Sequence, residues 1–178
     1  HVSDARVKHP ARLAHVRKQA AHFGVPRTQH VVATYPKDRL SAPMPDQPEV
    51  ARPPMQRVTV VSLGLAHAID AEAGRLLWPA QVDARVEDIA RITEQAEIAA
   101  HLAALDHPVT PVIETPLVDL SDKQVIELGE HLNVPWHLSF SCIHAGDVHC
   151  GACPACIRRR KAFDAAGVSD PVATGRAA

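Results

Sequence analysis

Apolar residues return every three or four positions early in the chain: Leu13, Val16, Ala20 and Phe23 form one stripe, with Pro10 near its start and Gly24 just past its end. This spacing predicts a helix over about 10–23. A turn of 3.6 residues puts these side chains on one face, proline suits the first turn, and glycine accepts the left-handed stop. After Val25-Pro26 the run His30-Val31-Val32-Ala33-Thr34-Tyr35 predicts a strand within 29–35, since β-branched residues fit a pleated surface. The order then repeats, with a helix over 56–73 ended by Gly74 and a strand at Arg75-Leu76-Leu77-Trp78.

A third helix is expected over about 86–105, with Ile89, Ile92, Ala96, Ala99 and Leu102 on one face and Glu87, Asp88, Glu94 and Glu97 elsewhere. Pro108 and Pro111 end it, and Val112-Ile113 is a further strand. Ser121-Asp122-Lys123-Gln124 has the form of a capping box, opening a helix expected to bury Val125, Leu128 and Leu132 before Asn133 and Pro135 stop it. Strands alternating with helices predict an α/β fold with a doubly wound, mainly parallel, Rossmann-like sheet. Six prolines between Pro36 and Pro54 interrupt the alternation, and that stretch reads as a lid or a disordered loop.

Composition narrows the picture. With 46% hydrophobic but only 3% aromatic residues, the core must rest on Leu, Val, Ile and Ala, with Trp78, Trp136 and three Phe as isolated anchors. Nineteen Lys and Arg against twenty Asp and Glu give a net charge of -1, which excludes a generally basic nucleic-acid coat. The longest apolar stretch, Val58 to Ala66, is broken by Thr59, Ser62 and Gly64 and falls far short of the roughly 20 residues a membrane helix needs. The start, His1-Val2-Ser3-Asp4, has neither Met nor a signal peptide's apolar run, so an upstream segment is expected to have been removed.

The four cysteines all lie between 142 and 156. Clustered cysteines with two-residue gaps suit a metal or redox site in a reducing compartment, which makes the cytoplasm the expected location. In Cys142-x7-Cys150-Gly151-Ala152-Cys153-Pro154-Ala155-Cys156 the Cys-x2-Cys-x2-Cys run can turn three thiolates around one ion, and Cys142 closes a tetrahedron. Gly151 and Pro154 provide the tight backbone. Structural zinc is the expected occupant, with an Fe–S cluster, two disulfides or a catalytic thiol pair as competing readings. His144 and His149 flank the cysteines, as competing ligands or as solvated loop residues. After them, Arg158-Arg159-Arg160-Lys161 is either a solvated helix face or a contact for phosphate or an acidic partner, on a helix that begins at about Ile157 and buries Phe163. The expected division is an incomplete α/β domain over 1–140 and a zinc knuckle with its C-terminal helix over 141–178.

These residues carry a resemblance. Thr115-Pro116-Leu117, Leu120-Ser121-x-Lys123, Glu127-Leu128-Gly129, Asn133-Val134-Pro135-Trp136 and Ser141-Cys142 are similar to the C-terminal half of 7-cyano-7-deazaguanine synthases. So are His149-Cys150-Gly151-x-Cys153-x-x-Cys156-x-x-Arg159, Ala162-Phe163, Ala166-Gly167 and Asp170-Pro171, which extends the match over about 115–171. The resemblance implies a PP-loop ATP pyrophosphatase of queuosine biosynthesis, with an adenine nucleotide alpha hydrolase-like fold. Such an enzyme adenylates 7-carboxy-7-deazaguanine with ATP, Mg2+ assisting, and ammonia converts the product to the nitrile. It also implies structural zinc on Cys142, Cys150, Cys153 and Cys156.

The sequence departs from that family in several places. The family's phosphate loop, Ser-Gly-Gly-x-Asp-Ser, has no counterpart here, and its backbone N–H groups and helix N-terminus are what cradle phosphate. Because the chain opens where the family's second strand would end, the loop is expected on an upstream segment. The family's Pro-x-Arg-Asn stretch is Pro53-Pro54-Met55-Gln56-Arg57 here, its Tyr-Pro-Asp-Cys-Arg segment has no counterpart after Trp78, and the tyrosine after the first zinc cysteine is Ile143. Two readings result. One is a PP-loop ligase acting on the carboxylate of a purine-like or other small substrate, with Trp78, Gln81, Asp83 and Arg57 as substrate-binding candidates at the carboxyl end of the sheet. In that reading Trp78 stacks on the base, ammonia or an amine is the nucleophile, and a homodimer is left open. The other is a non-catalytic zinc-containing module that binds a partner through its basic run.

Overall fold

A computed structural model describes residues 2–4, 10–25, 31–33, 56–81, 86–144 and 147–172. The elements in chain order are β1 (Val2–Asp4), α1 (Pro10–His22), β2 (Val31–Ala33), α2 (Gln56–Asp70), β3 (Arg75–Leu77), α3 (Val86–Asp106), β4 (Val112–Glu114), α4 (Asp122–His131), a 3₁₀ turn (Trp136–Leu138) and α5 (Pro154–Ala166). The α/β class and parallel pairing expected from the alternation are present. Among the described residues the strands form two parallel ladders, β1 with β2 and β3 with β4. The expected strand over 29–35 is β2, whereas β1 carries too short a pattern to be foreseen. The proline-rich stretch 36–54 lies outside the described residues.

The chain folds as two compact units, one made by the described residues of 2–6 and 31–119, the other by those of 7–30 and 120–178. In the first, β3 and β4 pair in register, Arg75 with Val112, Leu76 with Ile113 and Leu77 with Glu114. Such a parallel connection needs a crossover, and α3 is that crossover. Its core is Val61, Leu65 and Ala99, with Leu76, Trp78, Ala103 and Ile113 packed against them. Gly64 lets α2 approach closely, because a Cβ there would stand 3.4 Å from both methyls of Leu76.

On α3, Ile92, Ala96 and Ala99 are buried as the stripe predicts. Leu102 is not: it is 53% exposed, and Ala103 makes the contact instead. The reason is phase: at about 100° per residue Ala103 falls about 20° from Ile92 around the helix, whereas Leu102 falls about 80° to one side of that line.

In the second unit, α4 packs on α5 around Ile126, Ala162 and Phe163, with Trp136, Ala166 and Val168 at the edge of this cluster. The capping box is formed as expected: the Ser121 hydroxyl accepts from the Gln124 N–H, and the Gln124 carboxamide accepts from the Ser121 N–H. The expected buried set of α4 is corrected. Ile126 and Gly129 face inward, Val125 is half-buried, and Leu128 and Leu132 are exposed. The Trp136 indole sets this phase, because it lies where a Cβ on residue 129 would be, 2.0 Å from Cζ2. The bare glycine thus defines the contact face and turns Leu128 about 100° away from it. Trp136 also meets Phe163 edge-on, with ring centroids 5.4 Å apart, and its indole N–H donates to Glu130 at 2.6 Å. Among the described residues, no helix is long and apolar enough to cross a membrane.

Candidate metal centre

The four cysteines converge in the second unit. Cys142 lies on the extended segment after the 3₁₀ turn, Cys150 and Cys153 bracket a tight turn, and Cys156 sits in the first turn of α5. Gly151 makes that turn at φ +75°, a left-handed conformation that favours glycine. The expected start of the last helix at Ile157 is corrected to Pro154. Cys153 is its N-cap, its sulfur accepts from the Cys156 N–H, and proline fits the first position because no N–H is needed there. One residue therefore serves both the helix end and the site.

All four Sγ atoms lie within 4.8 Å of one another, and the pairs Cys142–Cys153 and Cys150–Cys156 are 4.0 Å apart. A tetrahedral thiolate site with metal–sulfur bonds of about 2.3 Å places its sulfurs about 3.8 Å apart, so a single ion fits with little adjustment. All four are free thiols, which sets aside the two-disulfide reading. A cluster with its own inorganic sulfur would hold the thiolates wider than a single ion does. Cys142, Cys153 and Cys156 are buried, which separates the site from water.

Backbone amides supply the compensating polarity. The Cys153 N–H points at the Cys150 sulfur at 3.3 Å, and the Cys156 N–H at the Cys153 sulfur at 3.4 Å. Donors from Ala152 and Cys153 hold the Cys150 thiol below its ordinary pKa. Burial raises that of Cys153, but N–H groups of Ile143 and Cys156 outweigh it and bring the thiol down to about 6. At Cys156 burial dominates, and without a bound cation the thiol is pushed up to about 12 despite the Gly151 amide. The site is thus partly prepared for negative charge, and a cation would complete it.

Around the sulfurs lies a polar shell that sequence reasoning did not anticipate. His149 is buried, contrary to the solvated-loop expectation, and its Nε2 accepts from the Ser141 N–H at 2.8 Å, so that nitrogen is already engaged. Burial, then the charge of Arg159, lowers its pKa from 6.5. His144 is exposed. Arg159 grips Asp170 with two bonds of 2.6 and 2.7 Å, donates to the Ser139 hydroxyl at 2.6 Å and stands over the Phe163 ring. Arg158 makes a matching pair of 2.6 Å bonds to Asp122. Two residues of the basic run are therefore tied to carboxylates, Arg159 largely buried and Arg158 on the exposed face that the solvated-helix reading expects. The signal that marked Arg159 and Asp170 was their presence in the resembling motif, since neither spacing nor charge distinguishes them from their neighbours.

The other candidates belong to the first unit. Trp78 follows β3, its N–H donates to the Glu114 carbonyl at 2.8 Å, and its ring packs against the core. Gln81 lies three residues further and is half-buried. Arg57 is exposed in the first turn of α2. The core cluster that Trp78 packs against is Val61, Leu65 and Ala99, and Arg57 is not part of it. Asp83 lies outside the described residues.

Comparison with known proteins matches residues 79–167 to the family model described as queuosine biosynthesis protein QueC. The chain is similar to the 7-cyano-7-deazaguanine synthase of Coxiella burnetii, 31% identical over 186 residues, covering 92% of this chain and 80% of that protein. The namesake from Methanobrevibacter smithii is 31% identical over 113 residues, covering 64% of this chain and 49% of that protein. For Trichormus variabilis the values are 30% over 144 residues, 77% and 63%. The chain thus spans about half to two thirds of the length of these last two relatives.

Proposed function

The chain belongs to the queuosine biosynthesis protein QueC family, and on that premise we propose that it carries the substrate and zinc part of a PP-loop ATP-dependent ligase. The reaction class is adenylation of a carboxylate followed by attack of ammonia or an amine, and the substrate is a small deazapurine-like acid. The observation that carries this reading is the matched stretch 79–167 with its four sulfurs gathered within 4.8 Å. In this proposal Cys142, Cys150, Cys153 and Cys156 hold zinc in a structural role, since four protein ligands leave no open position for chemistry. Trp78 stacks on the heterocycle, and Gln81, Asp83 and Arg57 contact its polar edge, at the end of parallel strands where open α/β folds bind ligands. In this reading the protein works in the cytoplasm.

ATP and Mg2+ need a phosphate cradle, and these 178 residues contain eight glycines but no Gly-Gly pair. No step at the nucleotide is therefore assigned to a residue of this chain. The alternative of a zinc-containing binding module acting through the basic run finds less support, because Arg158 and Arg159 are engaged with Asp122 and Asp170. The test is AMP release with ATP, 7-carboxy-7-deazaguanine and ammonium. The 178-residue chain alone should be inactive, and the chain joined to a relative's N-terminal segment bearing Ser-Gly-Gly-x-Asp-Ser should turn over. Turnover by the short chain refutes the phosphate-loop argument, and a silent joined chain refutes the ligase reading.

A further inference from the structure

One arginine of the second unit has no acidic counterpart. Arg12, in the first turn of α1, donates through Nη2 to the carbonyls of Cys142 at 3.1 Å and Ser141 at 3.5 Å. Its Nε is buried without a hydrogen-bond partner, and among the described residues no carboxylate lies within ion-pair distance of its guanidinium. A buried donor left unpaired is costly, and a guanidinium without a carboxylate leaves a local excess of positive charge.

Arg12 lines a cleft of about 310 Å³ with His15, Val16, Gln19, Ser139 and Phe140. Among the described residues no acidic side chain lines it. His15 and Gln19 both bond the Leu138 carbonyl, through Nδ1 at 2.8 Å and Nε2 at 2.9 Å. Those bonds fix the two side chains at one rim and leave the His15 Nε2 and the Gln19 carbonyl oxygen without partners among the described residues. Phe140 stacks on His15, with ring centroids 5.1 Å apart, and orients the imidazole. Nearby, Arg159 is already neutralised by Asp170, so the free charge of this region is that of Arg12.

We propose that this cleft on α1 is a binding site for a small phosphate-sized oxyanion, with the Arg12 guanidinium as its counter-charge and His15 as a second contact. It adjoins the cysteine segment without using the sulfur atoms, and it does not depend on the ligase reading. An arginine fork matches the oxygens of phosphate, and a guanidinium already anchored on two carbonyls loses little freedom on binding. The ligand is either free phosphate or the terminal phosphate of a mononucleotide.

The experiment titrates the zinc-loaded chain with inorganic phosphate and, separately, with AMP, following the Arg12 Nε–H and His15 ring signals by NMR. Saturable shifts at these residues in the low millimolar range or tighter are expected. AMP binding more tightly than phosphate would identify a nucleotide site, and equal affinity a free-anion site. Arg12→Gln should weaken binding at least tenfold. Because that change also removes a bond to Cys142, Val16→Glu is the second variant: it places a carboxylate one turn from Arg12 and should abolish the shifts while leaving the fold and zinc content intact. Shifts that are absent, that spread over Lys123 and Arg160 instead, or that persist in both variants would overturn the proposal.

Discussion

At the scale of single residues, the decisive contacts are those in which one atom has no alternative. Gly129 is such a case, since a methyl group there would lie 2.0 Å from the Trp136 ring, and both the ring and α4 are anchored, the ring by Glu130 and Phe163. Gly129→Ala is therefore expected to destabilise the chain by about 2 kcal/mol or more despite alanine's better helix propensity, through overpacking. Urea unfolding followed by tryptophan fluorescence measures it, and an unchanged midpoint would show that the ring can move aside. Arg159 and Asp170 are a second case. Arg159 is 8% exposed, so Asp170→Asn would leave a buried cation without its partner, at a cost of about 3 kcal/mol. The pH dependence has a definite sign. Burial opposes ionisation of Asp170, but the bonds from Arg159 outweigh it and its pKa is lowered, so its contribution is present above about 3.9 and lost as pH falls through the lower folded value. For His149, burial lowers the folded pKa below 6.5, so the folded state binds fewer protons and stability falls as pH drops beneath 6.5. Protonating Nε2 also ends its acceptance of the Ser141 N–H. A first loss below pH 6.5, absent in His149→Gln, is the expected result of thermal unfolding measured against pH.

At the scale of elements, sequence patterning located the helices well and their buried faces less well. The Ser121 capping box was legible because its signal is local: a hydroxyl, a carboxamide and a three-residue spacing. The buried face of α4 was not, because a glycine carries no hydrophobic signal and the indole that fills its place comes from Trp136, seven residues on. Leu102 misled because a three-residue step drifts off the buried line: Ala103, four residues after Ala99, stays on that line, but a small alanine signals it less strongly than a leucine does. The gathering of the four cysteines was legible, as the spacing itself encodes the turn, whereas the burial of His149 and the start of α5 at Pro154 were not. The energetics of the site give a further prediction. Cys153 caps α5 and is one of the four proposed metal ligands, so removing a bound metal should loosen the first turn of that helix along with the site. Metal binding in small zinc domains is worth on the order of 10 to 16 kcal/mol, and much of it is folding energy. One zinc per chain is expected by elemental analysis, and Cys153→Ser should abolish tight binding. Affinity should fall with falling pH across the neutral range, because the Cys156 thiol must lose its proton to bind, and more steeply below about 6, where the Cys153 thiol is protonated too. Retention of the ion by Cys153→Ser would argue for a different ligand set.

At the scale of the whole molecule, the two units draw their stability from different sources. The first holds Val61, Leu65 and Ala99 against a three-residue ladder, an aliphatic core that owes nothing to the cysteines. In the second, α4 and α5 meet around Phe163, and the chain from Ser139 to Cys156 is held by thiols, by Arg159 and by the Arg12 bonds to the carbonyls before and at Cys142. Among the described residues of that loop few aliphatic side chains are buried, so the proposed ion would substitute for the missing apolar core, as metals do in small domains generally. Chelation should therefore act locally rather than globally. In hydrogen exchange, amides of 139–160 are expected to lose protection when the metal is stripped, while those of α2, α3, β3 and β4 keep theirs, because each cooperative unit opens with its own free energy. The centre of α4 reports how far the effect spreads: Ile126 packs on Phe163, two turns beyond Cys156, and should lose protection only in part. Uniform loss across both units would mean that the metal stabilises the chain as a single cooperative body, and the attribution of the first unit's stability to its own core would be wrong.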